Sequence, residues 1–306
     1  MGKITAICVS EKRGTQKNFV KSARFVTEFG IDGDAHAGDW HRQVSFIGQA
    51  EIDEFKSRGA KVEAGAFGEN IIAEGFHFKN LPLGTRFRSG QVFFELTQIG
   101  KECHSHCAIY KQIGDCIMPR EGVFTRVLHG GEIKVGDELE ITTSNIPLDA
   151  AIITVSDRGF FGLRDEDTSG DKCEEMLKSA GYEIFSRTTL PDVKKSISDK
   201  LKELADIGVG LILTTGGTGF SVRDVTPEAT QEVCTRMAPG LAEAMRAESL
   251  KVTGRAMLSR AVAGICKRTL IVNLPGSPKA VAECLGVVLP QLQHGIEILR
   301  GETGNC

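Results

Sequence analysis

The stretch Leu211-Ile-Leu-Thr-Thr-Gly-Gly-Thr-Gly219 decides how the second half of this chain is read. With Val209 it forms a continuous apolar run of strand length, as expected of a strand covered on both faces, and it runs straight into glycines. Upstream, Ile197, Leu201 and Leu204 recur at helical spacing and predict a helix over 194–205. A strand over 151–156, a helix over 170–180 and a strand over 182–189 precede it. Helices over 227–237, 240–250 and 279–299 and a strand over 269–274 follow. This alternation predicts a three-layer α/β domain: a mostly parallel sheet with helices on both faces.

The first half has a different accent. Strands are predicted over 3–10, 86–97 and 137–142, separated by turn signals at Gly30, Gly33, Gly38, Pro82-Leu-Gly84, Ser89-Gly90, Gly130-Gly131 and Gly136-Asp137. One helix is predicted over 49–58. Many strands with few helices indicate a small β-barrel. Six of the seven histidines fall here: His36, His41, His77, His104, His106 and His129, leaving only His294 beyond. Between the halves, the polar, Pro-containing Thr142-Thr-Ser-Asn-Ile-Pro-Leu148 marks a boundary, giving domains 1–145 and 146–306. A length of 306 residues suits two domains.

Composition narrows the function. The net charge is −3 without a basic stripe, which excludes a general nucleic-acid binder. No apolar run approaches membrane-spanning length. Met1-Gly-Lys-Ile-Thr-Ala-Ile-Cys8 has no signal-peptide character. The nine cysteines, an odd number, are expected as thiols in a reducing cytoplasm.

The chemistry sits at strand ends. Thr215, Gly216, Gly217, Thr218 and Gly219 let backbone N–H groups approach an anion, although a tight structural turn accounts for the glycines equally well. The loop is not a Walker motif, because no Gly-Lys-Ser/Thr follows. In Arg223-Asp224-Val-Thr226-Pro227, Thr226 and Pro227 read as N-cap and first helical position. Asp224 either supports that cap or, with Asp192 and phosphate oxygens, ligates Mg2+. Asn273-Leu-Pro275-Gly276-Ser277-Pro278 is a connector or a second anion cradle at a helix start. Ser156-Asp157-Arg158 and the distal Ser169-Gly170 close the first strand.

Residues from about 149 to 301 resemble the molybdopterin adenylyltransferase family, which includes the G domains of gephyrin and its plant counterpart. The likeness rests on Ser156-Asp-Arg158, Ser169-Gly170, Leu190-Pro-Asp192, Thr214-Thr-Gly-Gly-Thr-Gly219, Arg223-Asp-Val-Thr-Pro-Glu-Ala-Thr230, Met257-Leu-Ser-Arg260 and Asn273-Leu-Pro-Gly276. It implies transfer of AMP from Mg-ATP to molybdopterin with release of diphosphate, ahead of a separate molybdate-insertion enzyme. By the same resemblance Asp192 and Asp224 are the acidic, Mg2+-binding catalytic positions. Ser156, Asp157, Arg158, Ser169, Gly170, Thr215–Gly219, Ser259, Asn273, Pro275, Gly276 and Ser277 meet nucleotide or pterin, and the protein is a homotrimer.

In the first half, Gly30-Ile-Asp-Gly-Asp-Ala-His-Ala-Gly38 offers Asp32, Asp34 and His36, with His41, as metal ligands or as ordinary turn residues. Gly100-Lys-Glu-Cys103-His104-Ser-His106-Cys107 has zinc-like residue types at a non-standard spacing, and buried, inert thiols are the alternative. Residues from about 3 to 142 resemble the MOSC domain through Gly30-Ile-Asp-Gly-Asp-Ala-His36, Phe67-Gly-Glu-Asn-Ile71, Leu81-Pro-Leu-Gly84, Ser105-His-Cys107, Gly122-Val-Phe-Thr-Arg126 and Gly131-Glu-Ile-Lys-Val-Gly-Asp137. This implies a β-barrel that binds molybdenum cofactor or carries sulfur, with pyridoxal phosphate binding associated at the family level. Cys107 best matches the hallmark cysteine and Cys103 comes second. The cysteine desulfurase domain of some relatives is missing here, so a separate sulfur donor is expected. Both halves point to molybdenum cofactor biosynthesis. A non-catalytic cofactor carrier or storage protein is the chief alternative, and a metal-binding scaffold built on the Cys/His cluster is a third.

Overall fold

A computed structural model describes residues 1–101, 114, 116–163 and 166–302. Two compact units are formed, Met1–Ile146 and Pro147–Cys306.

The first unit contains β1 (Gly2–Val9), β2 (Asn18–Val20), β3 (Ser22–Val26), β4 (Gly30–Ile31), β5 (Val44–Gly48), α1 (Gln49–Ser57), β6 (Ile71–Glu74), β7 (Arg86–Ser89), β8 (Val92–Ile99), α2 (Met118–Glu121), β9 (Val123–His129), β10 (Gly131–Lys134) and β11 (Glu138–Ile141). Seven strands close in the order β11-β7-β8-β9-β5-β6-β1, and β1 pairs back to β11 with Gly2 opposite Leu139. Only the β5–β6 pairing in that ring is parallel. Closure removes the exposed sheet edge, the usual route to self-association. Phenylalanines fill the interior: the Phe46 ring lies 5.2 Å from Phe94, 5.5 Å from Phe78 and 6.0 Å from Phe87. Each such side chain contributes about 1.5–3 kcal/mol by leaving water.

The second unit contains β12 (Asp149–Val155), α3 (Asp157–Phe160), α4 (Thr168–Ser179), β13 (Glu183–Leu190), α5 (Lys194–Ile207), β14 (Leu211–Thr215), α6 (Thr226–Val233), β15 (Arg236–Met237), α7 (Pro239–Leu250), β16 (Ala263–Cys266), β17 (Thr269–Leu274) and α8 (Pro278–Arg300). The sheet order is β13-β12-β14-β17-β16-β15. Pairings from β13 to β17 are parallel, while β17–β16 and β16–β15 are antiparallel. The sheet is therefore mixed, with an antiparallel edge that the strand–helix alternation did not reveal.

Alternation explains the continuous apolar run at β14. Leu211 and Leu213 face Cys173 and Leu177 of α4 and Val281, Leu285 and Val288 of α8. Ile212 packs on the other face with Ile197, Leu201 and Leu204 of α5 and Ala229 of α6. Helix α5 ends at Gly208, which takes the left-handed conformation at φ 91° and lets the chain turn into the strand. The expected helix over 227–237 stops at Val233, because Arg236 and Met237 pair with Ile265 and Gly264 instead. No described helix is long and apolar enough to cross a membrane.

Candidate active site

Four strand ends meet at one edge of the second unit. Register places Val155 beside Leu190, Thr154 beside Thr215, and Thr215 beside Leu274. The segments that follow, beginning at Ser156, Pro191, Gly216 and Pro275, all leave the sheet there. Strand β13 lies on one side of β12 and β14 on the other, so the chain reverses its direction of winding at this point. Such a switch point opens the crevice in which α/β sheets bind ligands.

The glycine loop lines that crevice. Gly216 and Gly217 have φ of +90° and +63°, which favours glycine. A Cβ on Gly216 would stand 2.4 Å from the Val155 carbonyl oxygen, and one on Gly217 would stand 2.4 Å from Thr226 Oγ1 and 3.3 Å from Asp192 Oδ1. One on Gly219 would stand 2.9 Å from Asp224 Oδ2. The loop backbone thus passes close to both carboxylates, where no side chain fits. Its carbonyls are tied off. Thr226 Oγ1 donates to the Gly216 oxygen at 2.9 Å and Thr226 N to the Gly217 oxygen at 3.1 Å. Arg260 N donates to the Thr218 oxygen at 2.9 Å and Arg260 Nε to the Gly219 oxygen at 2.6 Å. Thr226 is therefore the first helical residue, with its hydroxyl turned onto the loop, and the N-cap position falls to Val225.

Asp192 and Asp157 are locked reciprocally. Asp157 N donates to Asp192 Oδ2 and Asp192 N donates to Asp157 Oδ1, each at 2.9 Å. Arg223 pairs with the other Asp157 oxygen. Burial pushes the Asp192 carboxyl above the usual carboxylate range, and the charges of Asp157 and Asp224 add to this, while the Asp157 amide and Arg223 oppose it. Asp224 Oδ2 accepts from Ser221 N at 3.0 Å.

The remaining expected residues divide by role. Ser169 Oγ donates to the Gly276 oxygen at 2.7 Å, and a Cβ on Gly276 would meet Gly216 Cα at 3.4 Å, so the two loops abut. Ser277 caps α8, accepting from Ala280 N at 3.2 Å. It sits, with Gly276 and half-buried Pro275, at the positive end of a 23-residue helix. Ser156 caps α3, and Arg158 is exposed beside it. Gly170 lies in the first turn of α4, where Asp167 leaves no room for a Cβ. Ser259 precedes the clamping Arg260 and accepts from Ala261 N at 3.4 Å. Asn273 is placed differently from the expectation. It is wholly buried, with Nδ2 donating to Thr214 Oγ1 of β14 and Thr230 Oγ1 of α6 at 3.0 and 2.8 Å, and so ties β17 to the strand and the helix that flank the loop.

In the first unit, Cys103 and Cys107 lie outside the described residues, as do His104 and His106. The Asp32, Asp34, His36 and His41 set does not converge on a metal. Lys17 Nζ holds both Asp34 oxygens at 2.9 and 2.7 Å with neither side chain more than 1% exposed, and His41 bonds Gln98. No group of three or more His, Cys, Asp or Glu among the described residues is placed to hold a metal ion. Lys17 lines a cavity of about 750 Å3 together with His36, Trp40, Arg42, Ser45, Lys61 and Lys101, among others. The Arg42 guanidinium stacks 4.7 Å from the Trp40 ring. Glu69 shapes the wall by accepting from Gly65 N and Phe67 N at 2.7 and 3.0 Å. Nothing local in the sequence marks Lys17 as buried.

Residues 151–294 match the family described as probable molybdopterin binding domain, and residues 32–140 match the MOSC domain. A molybdopterin adenylyltransferase of Helicobacter pylori (strain ATCC 700392 / 26695) is 40% identical over 155 residues, covering 49% of this chain and 86% of that protein. Gephyrin of Dictyostelium discoideum is 38% identical over 161 residues, 49% of this chain and 22% of gephyrin. The solved structure of the molybdopterin biosynthesis enzyme MoaB from Thermus thermophilus is 47% identical, covers 50% of this chain and 96% of that one, and aligns with a TM-score of 0.48.

Proposed function

The chain belongs, through its C-terminal half, to the molybdopterin adenylyltransferase family of molybdenum cofactor biosynthesis, and on that premise we propose that this half transfers AMP from Mg-ATP to molybdopterin. The observation that carries the proposal is the convergence of Asp192, Asp224 and the Gly216–Gly219 backbone on one crevice. An oxygen of the molybdopterin terminal phosphate attacks the α-phosphorus of ATP. The new P–O bond forms as the bond to the bridging oxygen breaks, and its electron pair leaves with diphosphate. No protein nucleophile takes part. The chain aligns two anions and offsets their repulsion.

Each group has a place in that task. The loop amides and the N-terminus of α8 face phosphate. Asp192 and Asp224 supply two hard oxygen ligands to the Mg2+ of the substrate, whose coordination phosphate oxygens and water complete. Ser156, Asp157, Arg158, Ser169, Gly170, Ser259, Pro275, Gly276 and Ser277 frame the nucleotide and pterin, and Asn273 acts from beneath. In the first unit, the cationic cavity with its aromatic wall suits a cofactor that is planar and carries phosphate. Cys107, with Cys103 second, is the proposed thiol for sulfur or molybdenum in the N-terminal half. We take residues 1–145 and 146–306 as the two functional domains and the cytoplasm as their location.

Incubating the protein with ATP, Mg2+ and molybdopterin should release diphosphate and yield adenylylated molybdopterin by mass spectrometry. Tight binding of molybdopterin without turnover would instead establish a carrier. Assembly is proposed to be a homotrimer through the C-terminal half, and sedimentation as a monomer at micromolar concentration would refute it.

A further inference from the structure

An anion cradle built from backbone needs its carbonyl oxygens held away from the anion as firmly as its amides are aimed at it. The Thr226 hydroxyl and amide hold the carbonyls of Gly216 and Gly217. Those of Thr218 and Gly219 depend on one residue. Arg260 donates from its own amide to the Thr218 oxygen at 2.9 Å and from Nε to the Gly219 oxygen at 2.6 Å. Its Nη2 donates to the Asp224 backbone oxygen at 2.5 Å, and its Nη1 pairs with Glu228 in the first turn of α6. A planar guanidinium presents its donors in a fixed fork, so one side chain ties the end of the glycine loop, the turn bearing Asp224 and the start of α6 into a single unit.

We propose that Arg260 is the positioning residue of this crevice: it sets where the Asp224 carboxylate stands relative to the Thr218–Gly219 backbone, and through both it governs the binding of Mg-ATP. The inference rests on the adenylyl-transfer reading and deepens it. Charge on the guanidinium is answered by Glu228, whose partner it is, so its work at the site is geometric. Lysine keeps the charge but has no fork and cannot serve Gly219, Asp224 and Glu228 together.

The test compares the full chain with Arg260→Lys, Arg260→Gln and Glu228→Gln. Mg-ATP affinity is measured by calorimetry, kcat and KM by diphosphate release, and folding by thermal melting. Displacing the loop and Asp224 by about 1 Å should weaken kcat/KM for Mg-ATP on the order of a hundredfold. Arg260→Lys should fall as far as Arg260→Gln, with weaker Mg-ATP binding and a raised Mg2+ concentration for half-maximal rate. Glu228→Gln retains an acceptor for Nη1 and should stay near wild type. Rescue by Arg260→Lys would overturn the proposal, because it would make the cation itself the ligand of phosphate. So would losses that follow the unfolded fraction with Mg-ATP affinity and Mg2+ requirement unchanged. A wild type that transfers AMP beside unaffected variants sinks the Arg260 proposal alone. A wild type that neither binds Mg-ATP nor transfers AMP sinks both readings.

Discussion

Replacing Gly216 by alanine should damage the second unit through two separable costs. The residue sits at φ +90°, and holding an L-residue in left-handed backbone costs roughly 1–2 kcal/mol. The added Cβ would also stand 2.4 Å from the Val155 carbonyl oxygen, which belongs to a central strand and cannot swing aside. Relieving such overlap takes a backbone shift costing about 1–3 kcal/mol. Together these suggest about 3 kcal/mol, or a fall of roughly 6–12 °C in the melting temperature of a unit this size. Calorimetric melting of the full chain reads this directly, and Mg-ATP binding should weaken with it, because the loop is displaced from the crevice. Gly276→Ala is the internal control. Its Cβ would make ordinary contact at 3.4 Å, with Gly216 Cα, so it should cost less than about 1 kcal/mol. A Gly216→Ala protein that melts within about 2 °C of wild type and keeps its Mg-ATP affinity would refute the reasoning.

Asp192→Asn and Asp224→Asn should each preserve the fold and lower adenylyl transfer on the order of a hundredfold or more, the cost of removing one charge beside a transferring phosphate; near-normal turnover by both would remove their assigned roles. In the proposed role Asp192 meets Mg-ATP as the carboxylate, and its carboxyl is held up chiefly by burial, so turnover should fall as pH drops through a value above the ordinary carboxylate range. Arg223 opposes that rise, and Arg223→Gln should move the acid limb of the kcat/KM profile to higher pH; a limb unmoved or moved lower contradicts the assignment. Lys17→Met strands the buried Asp34 charge and should cost about 3–5 kcal/mol in chemical denaturation, with much of the loss recovered in the Lys17→Met/Asp34→Asn double variant. Burial pushes the Cys8, Cys173 and Cys234 thiols up to about 12, so at pH 8 they should resist alkylation in the folded protein. Rapid labelling at Cys107, with loss of bound molybdenum or labile sulfur in Cys107→Ser but intact adenylyl transfer, would support its role; an unreactive Cys107 whose loss leaves ligand content unchanged would end it.

Much of the site could be read from spacing because its parts are local. An apolar strand, a glycine loop and an acidic residue eight positions after Gly216 lie within one short run of chain, and each strand end announces its own turn. Side chains whose meaning depends on remote partners could not be read that way. Asn273 looks like a strand-end polar residue until Thr214 and Thr230 are seen to enclose it. Arg260 stands 36 residues from the Asp224 it fastens. Lys17 shares its local pattern with any exposed lysine, and only the folded barrel sets it against Asp34. The early end of α6 has the same origin: residues 234–237 have no strong breaker, and pairing with β16 overrides their helical preference.

The last turn of α8 reaches back to where the second unit begins. Arg300 is 3% exposed; it donates from Nη1 to the Pro147 oxygen and from Nη2 to Asp149 Oδ1, each at 2.8 Å. Asp149 Oδ1 also receives the Gly210 amide at 2.8 Å, at the foot of β14. Strand β12 is made early, but the arginine that pairs with its buried Asp149 follows 151 residues later. At ribosomal speeds of roughly 5–20 residues per second, that is a wait of about 8–30 s. During synthesis the barrel sequence is complete while the α/β unit still lacks the end of the helix whose Val281, Leu285, Val288, Leu292 and Ile296 fill one face of its core, so a nascent chain stalled before α8 should be open to protease in its second unit and closed in its first.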